Sequence, residues 1–187
     1  QGATVGSPTL DYGDPVSFCH PVISSGDLVM TFNGCETFGN NGKTLTIGSS
    51  SQTQSVVIGS RGGNNIFAAH GIMMEAGNSN GAFTQLGFRP TASSSGTSGD
   101  ILLRVKEGGL QMTGGTGVND AFVQIGHGGQ GTSNTGDTQG SITVRSGGKV
   151  SVLGGANLDA YAQIGHGGHV NSNNHGAAGD RIVVVGA

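Results

Sequence analysis

Ala121-Phe122-Val123-Gln124-Ile125-Gly126-His127-Gly128-Gly129 decides the fold of this chain, because it occurs more than once. It returns as Ala160-Tyr161-Ala162-Gln163-Ile164-Gly165-His166-Gly167-Gly168, and an earlier copy reads Ala82-Phe83-Thr84-Gln85-Leu86-Gly87. The steps from Gln85 to Gln124 and from Gln124 to Gln163 are both 39 residues. Self-similarity at a fixed period of this size marks a repeat architecture.

Outward from each copy the same order of segments follows. A polar stretch comes first: Thr91 to Gly99, Gln130 to Gly140 and Asn171 to Gly179. An alternating strand comes next, read as Leu103-Arg104-Val105-Lys106, Ile142-Thr143-Val144-Arg145 and Ile182 to Val185. Gly108-Gly109 and Gly147-Gly148 punctuate the first two, ahead of Leu110-Gln111-Met112 and Val150-Ser151-Val152. Each unit therefore reads as three short strands joined by glycine turns and one longer polar loop. Period-2 alternation turns Ile142, Val144, Val150 and Val152 inward and Thr143, Arg145 and Ser151 outward.

One such unit cannot bury its apolar face alone, whereas copies stacked about 4.8 Å apart form a continuous core. The expected fold is all-β, a β-solenoid with repeats of about 39 residues. A propeller repeats at a similar length, but its blades need four strands and no Trp-Asp signature is present. Whether one repeat makes one rung or two is left open by the sequence.

Residues 44–187 carry the glycine-rich repeats, in degenerate form at Leu45-Thr46-Ile47-Gly48 and Ser55 to Gly63. Residues 1–43 are atypical, as expected of a cap, with strands around Val16-Ser17-Phe18 and Leu28 to Phe32. Cys19 and Cys35 lie in this segment. In a secreted chain they pair as a disulfide closing a loop of about 17 residues, contributing on the order of 3 kcal/mol; in a reducing compartment they are two thiols. At the other end Ile182, Val183, Val184 and Val185 form the last strand, whose open edge is a template for pairing with a further strand. Either the chain continues or another subunit completes it, and head-to-tail completion makes filaments.

Gln-Ile-Gly-His-Gly-Gly followed by a polar loop, and Ile142 to Val152 with its Gly147-Gly148 turn, resemble repeats of filamentous-haemagglutinin-like bacterial surface proteins. Ser25 to Gly34 resembles a further unit of such proteins. The resemblance implies a right-handed parallel β-helix, secretion to the bacterial cell surface, and a role in adhesion, surface fibres or biofilm.

Stacked copies bring like residues together. Phe83, Phe122 and Tyr161 are expected to form an aromatic column, and Gln85, Gln124 and Gln163 an amide ladder. Because alternation turns Val123 and Ile125 inward, the aromatic column is expected to face outward, under a loop or a partner; a glycan-binding stripe is the sharper alternative. His127 and His166 are equivalent to Phe88 and read as a stacking ladder rather than metal ligands. His166, His169 and His175 are a looser cluster. Gly128-Gly129-Gln130-Gly131 is followed by Thr132 and Ser133, which departs from the calcium-binding Gly-Gly-x-Gly-x-Asp repeat. Asp100, Asp137 and Asp180 recur as turn residues that accept backbone hydrogen bonds. No metal site and no cofactor is expected.

Composition bounds the rest. Glycine supplies 38 of 187 residues without a Gly-X-Y period, and only 4 are proline, which excludes collagen. The net charge of −3 and the absence of a basic run or of Trp argue against nucleic-acid binding. No apolar run approaches the ~20 residues of a membrane span. A chain opening on Gln1 fits signal-peptide removal or a cut segment. The 11 acidic residues are scattered in turns, without the paired carboxylates of a glycosidase. The leading expectation is a non-enzymatic extracellular structural protein, a self-associating fibre subunit. An adhesin stalk with a glycan or cell-surface ligand is second, and a polysaccharide-degrading β-helix third.

Overall fold

The computed structural model describes residues 44–60, 62–89, 98–129, 138–168 and 179–187, and within residues 1–43 the backbone of five strands. Cys19, Cys35, Asp137, His169 and His175 lie outside the described residues. The chain is all-β, and no helix occurs among the described residues.

Among the described residues, fifteen strands, numbered in chain order, form two sheets. The first sheet takes β1 (Ala3–Val5), β4 (Val22–Ser24), β7 (Val56–Ser60), β9 (Thr84–Leu86), β11 (Val123–Ile125) and β14 (Ala162–Ile164), side by side in that order. The second runs through β2 (Thr9–Tyr12), β5 (Leu28–Phe32), β8 (Asn65–Glu75), β10 (Ile101–Thr113), β12 (Ile142–Ser146) and β15 (Ile182–Val185). Alongside this path β3 (Ser17–Phe18) pairs with β6 (Thr44–Gly48), β6 with β8, and β13 (Val150–Leu153) with β10. Every pairing is parallel, and each strand lies beside its equivalent in the next copy. Val123 pairs with Thr84 and Ala162, and Ile142 with Ile101 and Ile182. One repeat thus advances each sheet by one strand.

The register differs between the sheets. Along the first, Gln85, Gln124 and Gln163 align at the 39-residue period. Along the second, β10 begins at Ile101 rather than Leu103, and Ile101 pairs with Ile142, 41 residues on. The slip of two preserves which residues face the core and changes which neighbours meet. Gly108-Gly109 does not break the strand either: β10 runs through it, with a register shift between Val105 and Gly109. Repeats are shorter toward the N-terminus, where Val56 to Thr84 is 28 residues and Thr9 to Val29 is 20. The strands of residues 1–43 belong to the same two sheets as the rest.

Inward residues of both sheets share one apolar core. Phe67, Leu103 and Val144 stack in register and are fully buried, as are Ile58, Leu86 and Ile125 from the other sheet. Each such side chain contributes roughly 1.5–3 kcal/mol relative to exposure. Close stacking also dictates a glycine at or near the end of β7, β9 and β11. A Cβ on Gly59, Gly87 or Gly126 would strike the carbonyl of Gly87, Gly126 or Gly165 respectively, and Gly87 and Gly126 have φ of +128° and +156°. No other residue fits a position that is both left-handed and pressed against the next copy's backbone.

Candidate functional site

In the first sheet β7, β9 and β11 are buried on both faces. Its inner face meets the core, and its outer face carries a second cluster of Val57, Phe83 and Phe122 with Tyr161 packed against it. The rings of Phe83 and Phe122 stack at 4.5 Å and 3°, and those of Phe122 and Tyr161 at 4.8 Å and 10°. The Arg89 guanidinium lies 4.5 Å from the Phe83 ring centre and 5.8 Å from that of Phe122, within cation–π range. Burial lowers the Arg89 pKa, while the Tyr161 phenol and the Asp120 carboxyl oppose that shift. The aromatic column does lie outside the core, but Phe122 is 0% and Phe83 7% exposed, so these two rings offer no open stripe for a glycan.

The glutamines beneath do not form an amide-to-amide ladder. Gln85 Nε2 donates to the carbonyls of Gly126 (2.7 Å) and Gly128 (3.0 Å) in the next copy. Gln124 Nε2 donates likewise to Gly165 (2.8 Å) and Gly167 (2.6 Å). Amide protons point toward the following copy because the glycine turn there leaves two carbonyls that no strand pairing can satisfy. The Oε1 atoms of Gln85 and Gln124 are buried without a hydrogen-bond partner among the described residues. Gln163 Nε2 donates to His166 O within its own copy.

The histidines complete the corner. His127 and His166 stack at 5.1 Å and 6°. Each Nδ1 accepts a backbone N–H from the preceding copy, Phe88 N to His127 and His127 N to His166, both at 3.0 Å. Each Nε2 in turn donates to a carbonyl, that of Gly99 (3.0 Å) or Gly140 (2.7 Å). These bonds require neutral rings protonated on Nε2. Desolvation lowers the His127 pKa to about 4; the bond to Gly99 opposes the shift and the neighbouring His166 adds to it. Both nitrogens of both rings are committed to backbone, which leaves no lone pair for a metal.

Backbone hydrogen bonds also engage the loop carboxylates. Asp100 Oδ1 accepts from Ser141 N (2.8 Å) and Asp180 Oδ2 from Gly140 N (2.9 Å), each linking one copy to its neighbour. Among the described residues β15 pairs with β12 alone, and its Ile182, Val183, Val184 and Val185 are 54, 39, 45 and 54% exposed. Among the described residues, Val152, Leu153 and Leu158 are the other large apolar residues left exposed, and Val152 is the register partner of buried Met112.

One grouping escaped the sequence reading, which found no basic cluster. Arg104 and Arg145 are direct register partners on the outer face of the second sheet, both exposed, and exposed Lys106 follows Arg104 on the same face. The 39-residue period sets Arg104 beside Thr143, whereas the 41-residue register sets it beside Arg145. A period measured separately for each strand would have revealed the pair.

No helix among the described residues is long and apolar enough to cross a membrane. Compared with known proteins, the chain matches no family model, no curated protein and no solved structure.

Proposed function

We propose that the chain is a structural β-solenoid, a segment or subunit of an extracellular fibre that lengthens by stacking rung on rung. The observation that carries this reading is self-complementarity: equivalent residues of successive copies meet one another in both sheets, as at Gln85–Gln124–Gln163 and Ile101–Ile142–Ile182. A face of one copy is thereby the complement of the opposite face of the next. The resemblance to filamentous-haemagglutinin-like repeats supports the same reading and implies the right-handed β-helix, secretion and a bacterial surface.

Assembly uses the edge at Ile182, Val183, Val184 and Val185. A further rung there gains main-chain hydrogen bonds and covers the exposed apolar side chains, together with Val152, Leu153 and Leu158. The contact is heterologous, so stacking stays open rather than closing into a small oligomer. The protein's action is mechanical, without a chemical step.

Negative-stain electron microscopy of the purified chain over a range of protein and salt concentrations tests this. Long uniform fibres are expected, and Val184→Asp, which sets a charge on the stacking edge, should abolish them. Short monodisperse rods at every concentration, or normal fibres from the variant, would overturn the proposed assembly.

A further inference from the structure

The outer face of the second sheet carries two parallel columns. One is cationic, with Arg104 and Arg145 side by side and Lys106 two residues beyond Arg104. The other lies two residues upstream and is apolar: Ile66, Leu102 and Thr143 are register partners, each partly exposed. The columns run about 7 Å apart, and neighbouring side chains within each repeat about every 4.8 Å. A shallow cavity of about 220 Å³ lies over the apolar column, bordered by Asn64, Asp100 and Ser141.

Like charges directly opposite one another weaken a sheet. Neither Arg104 nor Arg145 has a carboxylate partner among the described residues to relieve that repulsion. An external anion would do so, and the planar guanidinium fork matches a carboxylate in two-point fashion. A ligand following both columns must carry acid groups along one edge and an apolar face along the other, at regular intervals. A chain of uronic-acid sugars has this form, with ring C–H faces for Ile66, Leu102 and Thr143 and a carboxylate at each ring edge. A single-stranded nucleic acid is less suited, because base stacking calls for aromatic platforms and this apolar column consists of Ile66, Leu102 and Thr143.

We infer that the outer face of β10 and β12 binds an acidic polysaccharide, with Arg104 and Arg145 holding successive carboxylates and Ile66, Leu102 and Thr143 supporting the sugar rings. This surface is complete within one copy of the chain and does not rest on fibre formation.

Affinity electrophoresis and calorimetry with polygalacturonate, dextran and poly(dT) test the inference. Polygalacturonate should bind with an affinity that falls as salt rises, and dextran should not bind. The Arg104→Gln/Arg145→Gln double variant, checked for an unchanged circular-dichroism spectrum, should bind about tenfold more weakly. Arg145→Gln alone serves if the double variant does not fold, and Leu102→Asp should weaken binding with both arginines intact. Unchanged binding by the arginine variants, equal binding of dextran, or binding of poly(dT) as tight as that of polygalacturonate would each overturn it.

Discussion

Outside β11, Phe122 lies between Phe83 and Tyr161 and is fully buried; outside β12, Arg145 lies beside Arg104 and both are exposed. The same parallel pairing produces both arrangements, since each residue must sit on its counterpart. In the buried corner that constraint is met by flat rings that stack, and by amides and imidazoles whose hydrogen bonds go to the backbone of the adjoining copy. On the open face it produces repulsion, which water and salt screen. Repetition therefore stabilises where the side chain complements itself and is merely tolerated where it does not.

The contrast breaks most visibly at Phe122. Phe122→Ala removes the middle ring of the stack, and urea unfolding should register a loss of about 4 kcal/mol. A loss below about 1 kcal/mol would mean that Phe83, Tyr161 and Arg89 close the gap, and that the corner is no tighter than the open face.

The histidines offer a second, pH-dependent break. The folded His127 imidazole stays neutral down to about 4, whereas an unfolded one takes up a proton near its ordinary value of 6.5. The unfolded chain therefore binds more protons between those two pH values, and stability falls as pH falls through that window. The contribution is fully present above pH 6.5 and amounts to about 3 kcal/mol, lost by about pH 4. Unfolding midpoints measured across this range should fall more steeply for the native chain than for His127→Gln. Parallel curves would show that the ring titrates freely.

The open face gives the smallest effect, and of opposite sign. Arg145→Gln removes a like-charge neighbour and should raise stability by about 0.5 kcal/mol at low salt, with the gain vanishing as salt rises. Destabilisation instead would mean that the guanidinium makes packing contacts worth more than the repulsion.

Much of this was legible from sequence because glycine turns and the Gln-Ile-Gly-His motif are local signals. The strand order, the inward residues Ile142 and Val144, and the neighbours in the Phe, Gln and His columns all follow from the period at Gln124. Two kinds of information were not local. The hydrogen-bond partners of Gln85 and Gln124 are backbone carbonyls of another copy, which no residue type announces. The pairing of Arg104 with Arg145 depends on a link two residues longer between β10 and β12 than the motif's period, and such a change is invisible to a single repeat length. Asp120 and Asp159 illustrate a third, subtler signal. They hold left-handed backbone at φ of 59° and 57°, where Gly81 stands in the earlier copy at +76°. A glycine replaced by aspartate at one repeat position reveals a turn that tolerates both.

In-register parallel pairing also determines how the molecule would yield to force. A pull on the two ends of the chain would load the outermost strand first, and a repeat would leave its neighbour by breaking the pairing between the two. Each repeat released would pay out roughly 130 Å of extended chain from strands only about 4.8 Å apart. Such a body would lengthen in steps under tension, dissipating work one layer at a time instead of snapping at a single joint.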